Sequence, residues 1–382
     1  MTIKSLHLKS LLMCSLGLLS LSASLPAETE LPTWAIGPFI RPETGNPVIE
    51  PDASILFNCP MRKKPIHWES LHAFNPAAVA KDGKIFVLYR AEDDTGPMII
   101  GHHTSRIGLA ESADGVKFSK QPLPVLYPDN DNQAAGEWTG GCEDPRVVEG
   151  ENGLYVMTYT QWNQKDWRLA IATSKDLVKW EKHGPAFAKA LEGKYAKLKC
   201  KSGAIVTQLD GDRLKAVKIN GKYWMYWGVG VVYLAYSDNL VDWTILEDGK
   251  GEKIAVLQGR AGHFDSSMVE GGPPAVLTDK GVVVLYNGEN LGQEGKVKGD
   301  PTLGARAYSG GQALFDSKDL TKLLGRTKTP FFKPELPYEK TGQSVAGTTF
   351  IEGLVYAKGK WFLYYGCADS KVGVAIYDPS RQ

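Results

Sequence analysis

The chain has 382 residues, with 44 Lys and Arg against 43 Asp and Glu, 43% hydrophobic residues, 41 Gly, 22 Pro and 10 Trp. That balance belongs to an ordered globular protein and excludes collagen, a disordered chain and a polytopic membrane protein. A formal net charge of +1 lacks the basic surplus that phosphate backbones demand, so no nucleic-acid partner is expected.

Lys4 and Lys9 precede an uncharged stretch, residues 10–27, whose apolar centre runs from Leu11 to Leu19. A basic start, a short apolar centre and small residues before Glu28 predict a cleaved signal over residues 1–27 and a secreted or periplasmic protein. Five serines dilute the stretch, whereas a spanning helix needs ~20 mostly apolar residues, so no lasting membrane insertion is expected. Residues 28–382 then form one domain. Its cysteines, Cys59, Cys142, Cys200 and Cys367, show no CxxC spacing, and a chain of this length needs no disulfide staples. The histidines offer no HExxH, and His102-His103 reads as a solvated loop pair; neither a metal nor an organic cofactor is expected.

From residue 77 onward one hairpin pattern recurs. A Gly turn precedes an apolar and aromatic strand at Gly83, Gly153, Gly221, Gly281 and Gly359, at intervals of 60 to 78 residues. Most copies continue with an apolar-Ala-x-Ser strand, as at Ile107–Ser112, Leu169–Ser174 and Val232–Ser237. An Asp-Gly or Asp-Leu turn and an aromatic follow, and a further apolar strand lies upstream of each Gly. Helical periodicity is scarce. About four strands per unit, repeated five times, predict an all-β fold, a five-bladed β-propeller with four-stranded antiparallel blades. A β-sandwich would not explain the period.

In such a fold the loops entering the first strand of each blade open on the central channel. They carry Asn75, Glu143-Asp144-Pro145-Arg146, Lys201-Ser202, Glu270-Gly-Gly-Pro and Glu352. Carboxylates crowded in a channel repel one another and cost stability, a cost more often found at a working site than in plain packing. Taken alone, Asp144 could cap a turn and Glu270 could be a solvated turn residue. Together they suit glycoside cleavage, one protonating the leaving oxygen and the other activating water or attacking carbon. Tyr159, Trp162, Trp167 and Tyr365 at strand ends could stack on sugar rings. Arg90, Asp93, Arg106, Gln161, Asn163, Arg168 and Asp369 are candidates for hydroxyl recognition.

The runs His72-Ala-Phe-Asn-Pro, Tyr89-Arg-Ala-Glu-Asp, Ser105-Arg-Ile-Gly, Gly141-Cys-Glu-Asp-Pro-Arg, Tyr159-Thr-Gln-Trp-Asn and Glu270-Gly-Gly-Pro-Pro resemble glycoside hydrolase family 130 over residues 35–379. The resemblance implies a five-bladed propeller acting on a mannose-containing oligosaccharide, either as a phosphate-dependent phosphorylase or as an inverting β-1,2-mannosidase. It makes Asp144 the proton donor, which in the phosphorylases is thought to act through a sugar hydroxyl. It makes Glu270 the general base of a hydrolase, where phosphorylases usually carry Gly. One departure stands out: the hydrolase pattern has a second Glu after Met-Tyr-Trp-Gly, and Val229 stands there instead. The expected activity is therefore inverting hydrolysis of β-mannosides. A phosphorylase with Arg106, Arg168 and Lys201 around the anion, or a non-catalytic glycan-binding propeller, is the alternative.

Overall fold

A computed structural model describes residues 31–381. The expected signal, residues 1–27, lies outside the described residues. Within them the chain is almost entirely strand, and its one α-helix, Ala134–Glu137, is a single turn.

The recurring Gly turns close antiparallel hairpins. Their long pairings are His72–Lys81 with Lys84–Glu92, Gly141–Glu149 with Tyr155–Trp162, Gly203–Asp210 with Lys222–Trp227, Ala275–Thr278 with Gly281–Glu289, and Thr349–Ala357 with Lys360–Cys367. A third antiparallel strand follows each hairpin: Ser105–Ser112, Trp167–Ser174, Val229–Ser237, Tyr308–Phe315 and Lys371–Tyr377. The fourth group departs from the others. Its first strand is split into Met268–Gly271 and Ala275–Thr278, because Pro273 and Pro274 have no N–H to give the ladder. In the last group, the outer edge of Lys371–Tyr377 is bridged by Ile40 and Ile49, so the two ends of the described chain meet in one sheet.

The first strands of the groups neighbour one another in a ring. Thr349–Ala357 packs on His72–Lys81, which packs on Gly141–Glu149, and Gly203–Asp210 pairs in parallel with Ala275–Thr278. The buried apolar side chains collect in clusters that each join two successive groups. Ala77, Leu88 and Leu109 meet Val147 and Met157; Val148 and Ile171 meet Met225 and Trp243; Val206 and Leu234 meet Val284 and Phe315. Leu285 and Val283 meet Leu354 and Leu363, and Val355 and Tyr364 meet Val87 and Tyr89. Each sheet thus buries both faces, which is why its strands read as nearly continuous apolar runs. This is a propeller-like, all-β arrangement.

A tyrosine device recurs on the second strands. Tyr89, Tyr286 and Tyr365 lie directly across from Gly108, Gly311 and Gly373, whose missing side chains leave room for the rings. The hydroxyls of Tyr89, Tyr159, Tyr286 and Tyr365 each donate, at 2.8 Å, to a buried carboxylate: Glu69, Glu137, Asp265 and Glu339. Each of those acids is paired in turn with a cation, Lys120, Lys182, Arg326 or Arg41. Such fully satisfied buried networks rigidify a fold because breaking any member leaves a charge unpaired. In the third group Tyr226 donates instead to the Leu320 carbonyl.

A Cβ added at Gly311 would lie 2.2 Å from the Tyr286 ring. Gly311→Val is therefore expected to destabilise the protein by about 1–3 kcal/mol, read as a lower urea midpoint at unchanged slope.

Candidate active site

Where the first strands converge, the chain bulges. The register slips between Phe74 and Pro76, between Glu143 and Arg146, and between Ile351 and Gly353, so Asn75, Asp144 and Glu352 fall at matching irregularities. Asn75 (φ 45°) and Asp144 (φ 48°) take left-handed backbone although each precedes a proline, and Ser202 (φ 64°) and Asp369 (φ 51°) do the same. Non-glycine residues held there cost about 1–3 kcal/mol each and gather at functional sites. All but Ser202 line one cavity of about 460 Å³.

That cavity is floored by Asp144 and Glu270. Asp144 Oδ1 accepts from Asn75 Nδ2 (2.9 Å) and Arg90 Nη1 (3.1 Å). Lys201 Nζ lies between the two carboxylates, 3.6 Å from Asp144 and 3.1 Å from Glu270. Glu270 also accepts a short hydrogen bond from the Ser202 hydroxyl. Arg90 carries three acids at once, Glu92 at 2.6 Å, Glu143 at 2.9 Å and Asp144 at 3.1 Å. Burial pushes the Asp144 carboxyl up, but Arg90, Lys201 and the Asn75 amide outweigh it and hold the group below the usual carboxylate range. For Glu143, burial wins over Arg90 and pushes the carboxyl up to about 7, with Asp144 and Glu92 adding to the rise. Asp369 is likewise pushed up to about 6 by burial. Glu143 thus carries a proton up to near-neutral pH beside an ionised Asp144.

Beneath the floor, buried Arg146 donates to the Gly271 carbonyl (2.7 Å), the Gly272 carbonyl (2.8 Å) and the Asp144 carbonyl (3.1 Å). It also lies 2.6 Å from Glu352, a charge contact without hydrogen-bond alignment, since neither Glu352 oxygen has a hydrogen-bond donor. The walls are largely apolar: Phe74, Trp162, Trp167, Val229, Met268, Phe350 and Ile100. Trp162 Nε1 donates to the Gly101 carbonyl and fixes the Ile100-Gly101 segment over the opening.

An acidic, aromatic-walled cavity at the meeting point of the hairpin repeats is joined by a match of the whole domain. The sequence profile of glycoside hydrolase family 130, described as β-1,4-mannooligosaccharide phosphorylase, fits residues 41–380. The chain belongs to glycoside hydrolase family 130. It is 30% identical, over 83% of this chain and 94% of the relative, to a 1,2-β-oligomannan phosphorylase of Thermoanaerobacter sp. strain X514. A solved structure from a study of family 130 glycoside hydrolases that target β-1,2 mannosidic linkages in Candida mannan shares 54% identity, with a TM-score of 0.89 over 92% of this chain and 96% of that one. A glycosyl hydrolase from Bacteroides ovatus is 53% identical, with a TM-score of 0.89 over 92% and 96% of the two chains.

Of the family 130 site residues expected from sequence, Asn75, Arg90, Glu143, Asp144, Trp162, Lys201, Glu270 and Asp369 line the cavity. Trp167, expected to stack on a sugar ring, lines it too, whereas the others lie elsewhere. Arg146 and Glu352 form the buried pair below the floor. Asp93 and Arg106 are buried against each other at 2.5 Å, with Arg106 packed on Phe57 and Cys59. Tyr159 and Tyr365 belong to the tyrosine device, their hydroxyls committed to Glu137 and Glu339, so their rings are core and not stacking platforms. Gln161 donates to Gln133 and Glu137, Asn163 to the Ala135 carbonyl, and Arg168 pairs with Asp166. The anion pocket of Arg106, Arg168 and Lys201 is therefore not assembled; only Lys201 reaches the cavity. His103 is a further correction: it is buried, whereas a solvated pair was expected. The four cysteines are free and buried.

Glu92, Tyr308, Met268, Gln343 and Phe350 also line the cavity and were not singled out from sequence. Glu92 had a signal, since period-2 alternation along the strand puts it on the same face as Arg90. Gln343 had none, coming from a loop outside the hairpin pattern.

Two measurements probe this network. A carboxyl whose folded pKa stands above its unfolded value binds an extra proton in the fold, so stability falls as pH rises between those values. Glu143→Gln should flatten the loss of stability between pH 5 and 7 relative to wild type, by up to about 3 kcal/mol across the window. Arg146→Met should cost about 1–3 kcal/mol, chiefly by leaving the buried carbonyls of Asp144, Gly271 and Gly272 without a donor. Because burial pushes the Glu352 carboxyl well above the usual range, adding Glu352→Leu should recover only part of that loss in a double-mutant cycle.

Proposed function

We propose that the protein is an exported inverting β-mannosidase that hydrolyses β-1,2-linked mannosides, on a propeller of five four-stranded blades. The carrying observation is the charge inventory of the cavity. Arg90 and Lys201 are the cations that line it among the described residues, and both are already taken up by carboxylates. Glu92, Glu143, Asp144, Glu270 and Asp369 outnumber them. An incoming phosphate dianion would meet repulsion in a partly desolvated site, whereas water meets none. That favours water as the nucleophile.

In this reading Glu270 is the general base, held by Lys201 and Ser202 as it draws a proton from water. Asp144 delivers the proton to the glycosidic oxygen, directly or through a sugar hydroxyl; because it is ionised in the free protein, that proton comes from its neighbour Glu143, which carries one up to near-neutral pH. Val229 lies directly across from Glu270 on the neighbouring strand, so Glu270 performs the base role without a second acid at that position. The apolar wall of Trp162, Trp167 and Phe74 suits the C–H faces of the sugar. The basic, then apolar, N-terminal residues support export, where a hydrolase loses nothing by not conserving bond energy as a sugar phosphate. A phosphorylase reading draws on the Thermoanaerobacter relative.

Purified protein should release mannose from β-1,2-mannobiose at a rate independent of inorganic phosphate, and ¹H NMR should show the α-anomer first. Asp144→Asn and Glu270→Gln should each lower kcat by about 10²–10⁴-fold. Strict phosphate dependence with mannose 1-phosphate as product would establish the phosphorylase instead.

A further inference from the structure

Behind Glu92, away from the hydrolytic pair, two histidines have no role in the chemistry above. His72, Glu92 and His103 each offer a ligand atom, and the three atoms lie within 4.8 Å of one another. Their placement is fixed by the sheet. His72 and Glu92 are direct cross-strand partners, and Glu92 pairs on its other side with Ser105, two residues after His103. His103 is only 4% exposed. The Nδ1 atoms of both imidazoles are buried without a hydrogen-bond partner, although buried polar atoms are almost always satisfied. The rings are tilted at 59° with centroids 6.0 Å apart, so they do not satisfy each other by stacking.

We propose that His72, Glu92 and His103 form a binding site for a divalent transition ion, with zinc the best fit. Two imidazole nitrogens and one carboxylate oxygen are a common three-ligand zinc set that leaves a fourth position for water. Bonds of about 2.0–2.1 Å in tetrahedral geometry put ligand atoms about 3.4 Å apart, a contraction that side-chain rotation can supply from strands already in register. Other groups bear on Glu92: Arg90 Nη2 at 2.6 Å, Gln343 Nε2 at 3.0 Å and the Ser105 hydroxyl at 3.4 Å. Arg90 opposes the cation, while Glu143, Asp144 and Asp369 around Arg90 offset that opposition. An ion on Glu92 would draw that carboxylate away from Arg90, leaving the guanidinium to Glu143 and Asp144. The site therefore adjoins the cavity and sets its charge without touching the reacting bond.

The test uses untagged protein lacking residues 1–27, stripped with EDTA and titrated with zinc chloride by calorimetry, with Co²⁺ as a spectroscopic probe. One equivalent of zinc should bind, raise the thermal midpoint, and be mirrored by the intense visible bands of four-coordinate Co²⁺. His72→Gln and His103→Gln should each weaken zinc binding by at least about tenfold while the metal-free midpoints stay near wild type. Wild-type protein that binds no zinc and gives no four-coordinate Co²⁺ spectrum overturns the proposal. So does zinc binding that both variants retain. Neither result bears on whether β-1,2-mannobiose is hydrolysed.

Discussion

The guanidinium of Arg146 sets the spacing on which the site depends. It is buried, so its hydrogen bonds face no competition from water, and it holds carbonyls of Asp144, Gly271 and Gly272 at once. Glu270 and Asp144 belong to different hairpin groups, and these contacts, with the Lys201 ammonium between the two carboxylates, relate one to the other. Glu352, from a third group, balances the Arg146 charge from below. The floor of the cavity is thus tied across the convergence of the strands, and the strained backbone at Asn75 and Asp144 persists because the surroundings over-determine it.

Above that floor the electrostatics are lopsided by construction. Arg90 and Lys201 keep Asp144 ionised in the free protein, while burial, with the neighbouring acids adding to it, lifts Glu143 and Asp369. With their proton affinities pushed apart, Glu143 carries a proton near neutral pH beside an ionised Asp144. The same acidic surplus repels a further anion, and Arg90 links the proposed zinc site to the Asp144–Glu270 pair.

The hairpin repeat was legible because it is local. A Gly turn, an alternating or continuous apolar run and an Asp turn follow from backbone freedom and burial within a few residues, and the strands lie where those signals put them. The acidic residues at the starts of the first strands were legible for a related reason: equivalent positions in a repeat converge by symmetry. Tyr159 and Tyr365 misled because a tyrosine at a strand end carries the same signal whether its ring meets sugar or a neighbouring sheet. Their buried partners Glu137 and Glu339 come from short helical turns outside the repeat. Arg106 misled likewise, since its commitment to Asp93 depends on how one hairpin curls behind the cavity.

The sequence by itself determined the strand content, the repeat, the family and the presence of Asp144 and Glu270 at matching strand entrances, because these rest on short-range patterning and on motifs. Tertiary structure alone decided which polar residues face the cavity and which are spent on one another. Pairings such as Arg146 with Glu352, or Tyr89 with Glu69, join segments whose side chains are ambiguous until packing shows whether water or an opposite charge stands beside them. Ion pairing in a low-dielectric interior is strong and short-ranged, so a shift of a few ångströms changes a residue from ligand-binding to structural, and no local pattern encodes that shift.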